Sequence, residues 1–473
     1  MNPQTDNLQK TLDLALGHHQ AGRLQEAENL YRDILRSSPG HLDTLYLLGV
    51  LSSQMGKYET AMELISKVIQ AAPDFAEAHY NLGSTFGEQG RLDEAITSYR
   101  RATALNPDYF EAHYSLGKAL ALRDKPHEAA SAYRRAIAVD PNRAEVCCEL
   151  GNLLMDANTP HEAEAAYRRA IAIQPNHVES LFNLGVALKD QGKFAEAIPY
   201  YRRVLELDES AKAHHNLGAA LQGQGKPDEA AEAYRRALQL EPGNVSAKFM
   251  LAAVTGEQPE TAPPEYVKNL FDGYSAQFDR HLLGKLQYQT PALLRRAFAE
   301  LVNDGARFRN VLDLGCGTGL GGVEFRPIAD RLCGIDISPK MTAAATEKNI
   351  YDRLRVGDMV EILDTTDETY DLVLAADVFG YVGNLEPIFQ AVAKRASGGA
   401  YFVFSTESAG DRDYVLSDTG RFAHSRGYIE SLAVELGFAV ETCRQANIRK
   451  DRGQWVAGNL FILRKAGKDT DRK

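Results

Sequence analysis

The segment from Val311 to Gly319, Val-Leu-Asp-Leu-Gly-Cys-Gly-Thr-Gly, is the part of the chain best suited to binding a small molecule. Its alternating glycines lack a Cβ, so the backbone N–H groups of such a turn can approach a ligand closely. A carboxylate at Asp313 would repel a pyrophosphate, whereas it would attract a cationic amino group. The segment therefore favours a nucleotide-like cofactor that carries positive charge, such as S-adenosylmethionine (SAM).

Further acidic residues end later apolar segments of the same region. Asp336 comes 19 residues after Gly317, a spacing at which a carboxylate can accept both hydroxyl groups of a ribose. Gly357-Asp358-Met359 ends a third apolar segment. Ligands of open α/β sheets bind at the carboxyl ends of the strands, so we expect these acids to surround one site.

The elements that must position these residues alternate between helix-like and strand-like patterns from Tyr266 onward. The predicted strands are 310–314, 332–335, 354–356, 370–375 and 400–405, followed by a pair near 439–443 and 459–463. Little except the charged turn Arg449–Gly453 separates the last pair, which predicts an antiparallel hairpin because parallel strands need long crossovers. The pattern therefore predicts a mostly parallel sheet with an antiparallel last strand.

Residues from about 266 to 465 resemble the class I SAM-dependent methyltransferases, whose cofactor loop matches Asp313–Gly319. The resemblance implies a Rossmann-like α/β domain over residues 265–466, with a mostly parallel seven-stranded sheet. It also implies that Ile337 and Met341 pack on the adenine and that Asp358 reads its amino group. The complete set of implied cofactor-binding residues is Asp313, Gly315, Cys316, Gly317, Thr318, Gly319, Asp336, Ile337, Met341, Gly357, Asp358 and Met359.

The residues on the acceptor side are less explicit, because methyl transfer from a sulfonium mainly requires alignment of an already activated group. Asp377, Tyr381 and His424 are the candidate catalytic residues, and His424 equally suits a polar helix start. Asp377-Val-Phe-Gly stands where methyltransferases of planar amines carry Asn-Pro-Pro-Tyr or Asp-Pro-Pro-Tyr. This departure favours small-molecule or protein acceptors, chosen in part by Phe379–Asn384 and Phe422–Tyr428.

The segment from Tyr274 to Tyr288 precedes the first predicted strand and resembles one in bacterial methyltransferases that also carry tetratricopeptide repeats. Such N-terminal helices often close over the cofactor in this fold. Phe278 and Leu282 suit either ordinary amphipathic packing or contact with a ligand. Tyr274 and Tyr288 are weaker candidates for residues of a lid.

The first half of the chain is built from a repeat of about 34 residues. The repeating positions are Gly49, Gly83, Gly117, Gly151, Gly185 and Gly218; Ala61, Ala95, Ala129, Ala163, Ala197 and Ala230; and Pro39, Pro73, Pro107, Pro141, Pro175 and Pro242. The pattern resembles the tetratricopeptide repeat, a pair of packed helices. We predict an all-α solenoid over residues 7–254, with about seven repeats and a capping helix at Asn244–Val254, and a proline-rich linker over residues 255–264.

The resemblance implies that the repeats form a concave groove for a protein or peptide partner. Asn81, Asn183 and Asn216 share one repeat position, where the side chain suits either a peptide-binding face or a polar surface. Tyrosine also repeats, at Tyr99, Tyr133, Tyr167, Tyr201 and Tyr234. The Arg-Arg pairs that follow these tyrosines are expected to be a solvated outer face.

The composition limits the remaining function classes. A net charge of −11 argues against nucleic-acid binding, and none of the five cysteines has a CxxC spacing typical of a zinc site, so no metal is expected. The chain contains no apolar run of about 20 residues and no visible secretion signal. These features predict a cytoplasmic protein without membrane insertion.

Two alternatives accompany the predicted SAM-dependent methyltransferase whose repeats recruit its acceptor or a partner. Gly317–Gly322 also fits the dinucleotide fingerprint of NAD-dependent oxidoreductases, although the acids after three strands favour SAM. In the second alternative, the repeats are the functional scaffold and the α/β domain is a non-catalytic SAM sensor.

Overall fold

The computed structural model describes residues 3–275, 278–303, 305–451 and 453–467. The chain divides into two compact units, Met1–Lys193 and Phe194–Lys473. Each unit buries hydrophobic clusters of its own.

The described residues of the first unit form eleven helices. They are α1 (Pro3–Gln20), α2 (Leu24–Ser37), α3 (Leu42–Gln54), α4 (Tyr58–Ala71), α5 (Ala76–Glu88), α6 (Leu92–Leu105), α7 (Phe110–Leu122), α8 (Pro126–Val139), α9 (Ala144–Asp156), α10 (Pro160–Ile173) and α11 (Val178–Asp190). Helices of 13 and 14 residues alternate from α3 to α10, so the predicted pairing of two helices per repeat is confirmed.

Tyrosine rings pack directly on glycine backbone where the helices of a pair cross. A Cβ at Gly117 of α7 would lie 2.6 Å from Cδ1 of Tyr133 on α8, and one at Gly83 would lie 2.8 Å from Tyr99. The alanines at the second repeating position, Ala27, Ala61, Ala95, Ala129, Ala163, Ala197 and Ala230, are completely buried. These small residues let the helices approach closely, and the tyrosine rings fill the space that remains.

The repeated arginines form a solvated face, as predicted, and several bridge neighbouring repeats. An Nη2 atom of Arg134 lies 2.9 Å from Oε2 of Glu162, and Arg100 pairs with Glu128 in the same way. About half of each of these side chains is exposed. Such exposed pairs contribute roughly 0.2–1 kcal/mol each, so the helix packing described above carries most of the stability.

The asparagines at the shared repeat position bond to neighbouring side chains within the first unit. Nδ2 of Asn81 donates to the Tyr46 hydroxyl at 2.7 Å, and Nδ2 of Asn183 donates to Oδ1 of Asn152 at 2.8 Å. In the second unit, Nδ2 of Asn216 donates to the Lys212 carbonyl at 3.0 Å. A role of these amides in binding a peptide therefore stays a prediction.

The second unit begins with four helices of the repeat pattern, α12 (Phe194–Leu207), α13 (Ala211–Gly223), α14 (Pro227–Leu240) and α15 (Val245–Thr255), the last of which matches the predicted capping helix. It continues with α16 (Pro264–Tyr274), α17 (Phe278–Arg280), a π-helical turn (His281–Lys285), α18 (Thr290–Ala299), β1 (Phe308–Leu314), α19 (Leu320–Phe325), a 3₁₀ turn (Arg326–Ile328), β2 (Ala329–Asp336), α20 (Pro339–Glu347), β3 (Arg353–Val356), α21 (Met359–Thr365), β4 (Tyr370–Ala375), a second 3₁₀ turn (Phe379–Tyr381), α22 (Glu386–Arg395), β5 (Ala396–Ser408), β6 (Tyr414–Leu416), β7 (Phe422–His424), α23 (Arg426–Glu435), β8 (Phe438–Asp451) and β9 (Gln454–Lys465).

The sheet has the predicted parallel strands and the predicted antiparallel hairpin. Strands β3, β2, β1, β4 and β5 lie side by side and parallel, β9 is antiparallel to β5, and β8 is antiparallel to β9. The strand order reverses between β1 and β4, so the carboxyl ends of these strands border a crevice where α/β proteins bind ligands.

Alternate side chains of β1 pack on opposite faces of the sheet. Leu312 and Leu314 join a core cluster with Phe389 of α22, whereas Val311 joins a second cluster with Phe298 of α18. Because both faces are covered, the last four residues of the strand, Val311 to Leu314, are all buried. This buried run ends at Leu314, just before the glycine loop, which places the loop at the edge of the sheet.

Two short strands, β6 and β7, were not predicted. Strand β9 pairs with one edge of β5 as far as Glu407, while β4 pairs with the other edge only as far as Phe404. Strand β7 then pairs with β5 at Glu407 and Ser408. The β6–β7 hairpin therefore extends the sheet beyond the carboxyl end of β4.

The prediction of a charged turn from Arg449 to Gly453 is wrong at its start. Arg449 pairs with Val456 and Asp451 pairs with Gln454, so β8 continues to Asp451. Only 6% of Arg449 is exposed. A run of charges usually marks solvent, but here buried carboxylates compensate the guanidinium.

Several absences hold for the residues that the structure describes. In these ranges, no helix has both the length and the apolar character that a bilayer crossing requires. No group of three His, Cys, Asp or Glu side chains among them could hold a metal ion. The cysteines are free thiols, and Cys443 is the most exposed of the five.

We expect Gly117→Ala to lower the stability of the repeats, because its methyl group would overlap the Tyr133 ring at a distance of 2.6 Å. Overpacking of this kind costs about 1–3 kcal/mol. Gly17→Ala is the matched control, since a Cβ there meets nothing within 4 Å and alanine in a helix gains about 0.5–1 kcal/mol over glycine. Urea unfolding followed by circular dichroism should show opposite shifts, and equal shifts would contradict the packing.

Candidate functional site

The glycine loop after β1 is held in left-handed backbone conformations. Gly315, Gly317 and Gly319 have φ values of 59°, 54° and 95°. Residues other than glycine adopt such backbone conformations only with strain. The Cys316 N–H donates to the Ile335 carbonyl at 2.9 Å, and the Gly319 N–H donates to the Cys316 carbonyl at 2.8 Å. The loop therefore folds back on β2 and keeps its own backbone close to the cavity edge.

Asp336, the last residue of β2, connects the glycine loop to the start of α20. Its Oδ2 accepts the N–H of Gly317 and its Oδ1 accepts the N–H of Ser338, each at 2.8 Å. The pKa of Asp336 is raised, because the effect of burial outweighs the lowering effect of these two backbone hydrogen bonds. A carboxylate offers about four acceptor positions, so two remain for a ligand.

Asp313, the penultimate residue of β1, is 1% exposed. The Tyr351 hydroxyl donates to its Oδ2 at 2.7 Å. Burial raises the pKa of Asp313 to about 7, although the Tyr351 hydrogen bond lowers it. Because no cationic side chain compensates this group among its described contacts, it would be stabilised in its charged form by a cationic ligand.

The residues after β3 lie at another side of the same cavity. Gly357 has a φ of 151°, and its N–H donates to the Asp336 carbonyl at 2.9 Å. Asp358 caps α21, because its Oδ1 accepts the N–H groups of Val360 and Glu361. This cap leaves its Oδ2 without a bond to those groups and holds the side chain at the cavity edge.

The segment between the repeats and the sheet covers the glycine loop. Asp279 of α17 accepts the Thr318 hydroxyl, and Nζ of Lys348 donates to Asp279 Oδ2 at 2.6 Å. The Phe271 ring lies edge-on to both Phe278 and Tyr381, with centroids 5.8 and 5.3 Å apart. These three rings form an apolar roof over the site.

Asp377 follows β4 and belongs to a buried cluster of two acids and two arginines. An Nη2 of Arg421 donates to Asp377 Oδ1, and Nε of Arg421 donates to Glu407 Oε1. An Nη2 of Arg449 also donates to Glu407 Oε1, at 2.6 Å. The pKa of Glu407 is lowered, because the attraction of the two guanidinium groups outweighs the effect of burial. We call these four residues the Asp377 cluster.

The backbone at Asp377 is strained. Its φ is 60°, a conformation that aspartate tolerates better than most residues, and its N–H donates to Oγ of Ser405 at 2.9 Å. The Arg421 guanidinium also stacks on the Tyr381 ring, 4.8 Å from its centroid. Strain of this kind concentrates at functional sites, and here it aims the carboxylate at the guanidinium of Arg421.

One cavity of about 530 Å³ brings these groups together, within the usual volume range of ligand sites. The cavity is bordered by the glycine loop, by the strand-end acids and by the apolar roof. Three residues of the Asp377 cluster, all except Glu407, also border it. The predicted site residues that line it are Asp313, Gly315, Cys316, Gly317, Thr318, Asp336, Ile337, Gly357, Asp358, Met359, Asp377 and Tyr381. Phe278, Leu282 and Tyr288, which belong to the segment predicted to close over the cofactor, line the cavity as well.

Three predicted site residues lie outside this lining. Gly319 is the N-cap residue just before α19, and Met341 is completely buried in α20. His424 is completely buried too: its Nε2 donates to the Val382 and Gly383 carbonyls, and its Nδ1 is buried without a partner. Burial lowers the pKa of His424 to about 4, so the ring is neutral and holds the backbone after β4. The side chain of Tyr274 lies outside the described residues.

Comparisons with protein families assign both parts of the chain. A family model described as a methyltransferase domain matches residues 285–441. Models described as tetratricopeptide repeats match residues 18–83, 83–122, 110–143, 148–212 and 211–244. The chain is a tetratricopeptide-repeat protein with a methyltransferase domain.

Solved structures of tetratricopeptide-repeat proteins are similar to part of this chain. The MamA protein is 28% identical over 35% of this chain and 90% of its own, with a TM-score of 0.34. YrrB, a repeat protein described as having an unusual peptide-binding site, is 23% identical over 40% of this chain and 97% of its own (TM-score 0.37). A repeat protein from Cytophaga hutchinsonii is 17% identical over 50% and 98% (TM-score 0.45). No curated protein matched the chain.

Sequence reasoning missed three charged residues at the cavity of the methyltransferase domain or next to it. Glu407 lies two residues beyond the predicted fifth strand, Arg421 lies in the unpredicted β6–β7 hairpin, and Arg449 lies in the supposed turn. Only Glu407 left a usable signal, because an acid directly after an apolar strand also marks Asp336 and Asp377. The arginines were recognisable only once the hairpins had been placed.

We expect Asp313→Asn to stabilise the methyltransferase domain without ligand at pH 8 and to change its stability little at pH 4. The pKa of Asp313 is about 7 in the folded protein, against ~3.9 in an unfolded chain. The contribution of this group to the free energy of unfolding is therefore fully present below pH ~4 and is lost as the pH rises through about 7. The variant's advantage should therefore grow across this window to about 4 kcal/mol at most.

Urea unfolding of both proteins between pH 4 and pH 8 measures this difference. Asp330→Asn is the control, because this carboxylate at the start of β2 is 55% exposed. An Asp313→Asn curve that runs parallel to wild type at every pH would contradict the assigned burial of this charge.

Proposed function

We propose that the protein is a SAM-dependent methyltransferase whose repeats recruit the acceptor or a partner protein. The observation that carries the proposal is the convergence of three strand-end acids, Asp313, Asp336 and Asp358, on one cavity beside the glycine loop. The matched methyltransferase family supports the same reaction class.

The residues of the cavity fit SAM better than a dinucleotide. The two free acceptor positions of Asp336 suit the two hydroxyls of a ribose, and the raised pKa of Asp313 would be relieved by an ammonium group. A pyrophosphate at the loop would face both carboxylates. Lys348, a nearby cation, is already bonded to Asp279 and to the Thr318 carbonyl.

In the proposed complex, Asp336 would hold the ribose, Asp313 and the glycine loop would hold the methionine part, and Ile337, Asp358 and Met359 would surround the adenine. When bound, SAM supplies a methyl group that a sulfonium has already activated. The protein then has to exclude water and align the acceptor. Phe271, Phe278 and Tyr381 would exclude water, and Asp377, one of the charged residues that line the cavity, would orient the acceptor or take its proton.

The acceptor is the finer part of the proposal. Tetratricopeptide repeats suit the recruitment of a protein or peptide, and a cavity of about 530 Å³ also suits a small-molecule ligand. The alternative of a non-catalytic SAM sensor predicts the same binding of SAM without any transfer.

We expect Asp336→Asn to weaken the binding of SAM and of S-adenosylhomocysteine at least tenfold in isothermal titration calorimetry. Hydrogen bonds to a charged partner contribute about 1.5–3 kcal/mol each, and the amide loses the charge that strengthens them. Asp330→Asn, on the same strand, should bind like wild type. If wild-type protein itself gives no heat with either compound, the SAM-dependent function is excluded.

Incubation of a cell extract with the protein and methyl-labelled SAM separates the enzyme from the sensor. We expect the full chain to label an acceptor, and the unit Phe194–Lys473 to label a protein acceptor more weakly while its affinity for S-adenosylhomocysteine is kept. Unlabelled extract together with normal SAM binding would favour the sensor. Equal labelling by both forms would contradict recruitment by the first unit.

A further inference from the structure

The turn between β6 and β7 (residues 417–421, the β6–β7 turn) borders the cavity. Thr419 and Arg421 line the cavity. The turn is internally closed, because the Ser417 N–H donates to the Arg421 carbonyl at 2.8 Å and the Gly420 N–H donates to the Ser417 carbonyl at 3.0 Å. A shift of this turn would therefore move Arg421 with it.

The other side of the turn is held by the last repeat helices, which belong to the same compact unit. The Gln222 amide of α13 donates to the Asp418 carbonyl and accepts the Tyr234 hydroxyl at 2.7 Å. Gln222 is only 5% exposed. A Cβ at Gly420 would lie 2.9 Å from Sδ of Met250 on α15, so the turn packs directly on this helix.

Packing around the turn continues this contact. Phe249 of α15 shares a core cluster with Leu416 and Phe422, the residues on either side of the turn. The Leu416 N–H donates to Oε1 of Gln258, just after α15, at 2.7 Å. Tyr381 packs against the same cluster, so the repeat helices, the turn and the cavity wall form one continuous set of contacts.

The repeat itself does not require a glutamine at position 222. The residues at the same repeat position in earlier helices are Ser53, Gly87, Ala121, Met155 and Lys189. Burial of an amide costs free energy unless its polar atoms are hydrogen-bonded. Its partners here are a tyrosine of the next helix and a backbone carbonyl of the β6–β7 turn.

We propose that the last repeat positions the methyl-transfer site: Gln222 holds the β6–β7 turn, and the turn delivers Arg421 to Asp377 and Glu407. This inference rests on the proposed function, since it concerns the acceptor side of that site. Gln222 is thus a positioning residue, and Arg421 is the group through which it acts. The described side-chain hydrogen bonds of Asp313 and Asp336 go to Tyr351, Gly317 and Ser338, and none of these residues belongs to the turn.

The test compares full-length wild type with Gln222→Met, which keeps the length of the side chain and removes both the donor to Asp418 and the acceptor of the Tyr234 hydroxyl. Hydrogen exchange of residues 414–424 should accelerate in this variant. Labelled-methyl transfer from SAM to a cell extract should fall roughly ten- to a hundredfold, as expected for a small misplacement. The affinity for S-adenosylhomocysteine should stay within about twofold, because the loss concerns kcat rather than cofactor binding.

Gln191→Met is the matched control, since it makes the same substitution and removes an amide hydrogen bond to Glu164 in the first unit without touching the turn. It should change neither exchange at residues 414–424 nor transfer. Unchanged exchange in Gln222→Met would overturn the inference, as would faster exchange with undiminished transfer.

Arg421→Lys provides a second line of evidence that does not depend on the folding of Gln222→Met. Lysine keeps the charge but cannot bridge two carboxylates as a planar guanidinium does, so transfer should fall in this variant as well. In the double variant, Gln222→Met should add little to Arg421→Lys, because both act through one interaction. Wild-type transfer by Arg421→Lys, or fully multiplicative losses, would overturn the proposal.

The two proposals fail in different ways. Wild-type protein that binds no S-adenosylhomocysteine and labels nothing removes the methyltransferase function and this inference with it. Wild-type protein that binds and transfers normally, beside a Gln222→Met variant that does the same, removes only the inference.

Discussion

The geometry of the rest of the site depends on the hydrogen bonds that the Asp336 carboxylate accepts. This carboxylate accepts one N–H from the glycine loop, at Gly317, and one from the start of α20, at Ser338, both at 2.8 Å. A buried carboxylate is stable only when it is hydrogen-bonded, so the charge and the loop conformation require each other. The conformation of the loop is therefore fixed in part by this one side chain, which is also the group proposed to hold the ribose of the cofactor.

The Asp377 cluster applies the same rule to the other side of the cavity. Each of its arginines bonds to Glu407, and Arg421 also bonds to Asp377, so two acids compensate two buried cations. Such a network tolerates little movement, since the loss of one partner leaves a buried charge unpaired. It also joins β5, the β6–β7 hairpin and β8, which are distant in sequence. The position of the hairpin on the last repeat helices thereby bears on the role that is proposed for Asp377.

Predictions from the sequence succeeded where a period or a long apolar run constrained the chain. The repeated Gly, Ala and Tyr positions predicted the helix pairs, because each element must bury the same small and large residues at the same place. The parallel strands and the closing hairpin were likewise visible as apolar runs. The strands β6 and β7 have three residues each, too few for any periodicity. Arg449 misled the prediction because charge near Gly453 suggested a solvated turn, whereas β8 carries it into the interior.

The sequence by itself determined the order of the elements and the residues that end the central strands, because a parallel sheet places those ends along one edge whatever else the chain does. Asp313, Asp336, Asp358 and Asp377 are therefore recognisable from the order of residues alone. Tertiary structure alone decided which groups compensate one another: that Arg421 and Arg449 reach Asp377 and Glu407, and that His424 turns away from the cavity to bond backbone carbonyls. Pairing between distant charges depends on how separate hairpins pack, and local sequence patterns carry no record of that packing.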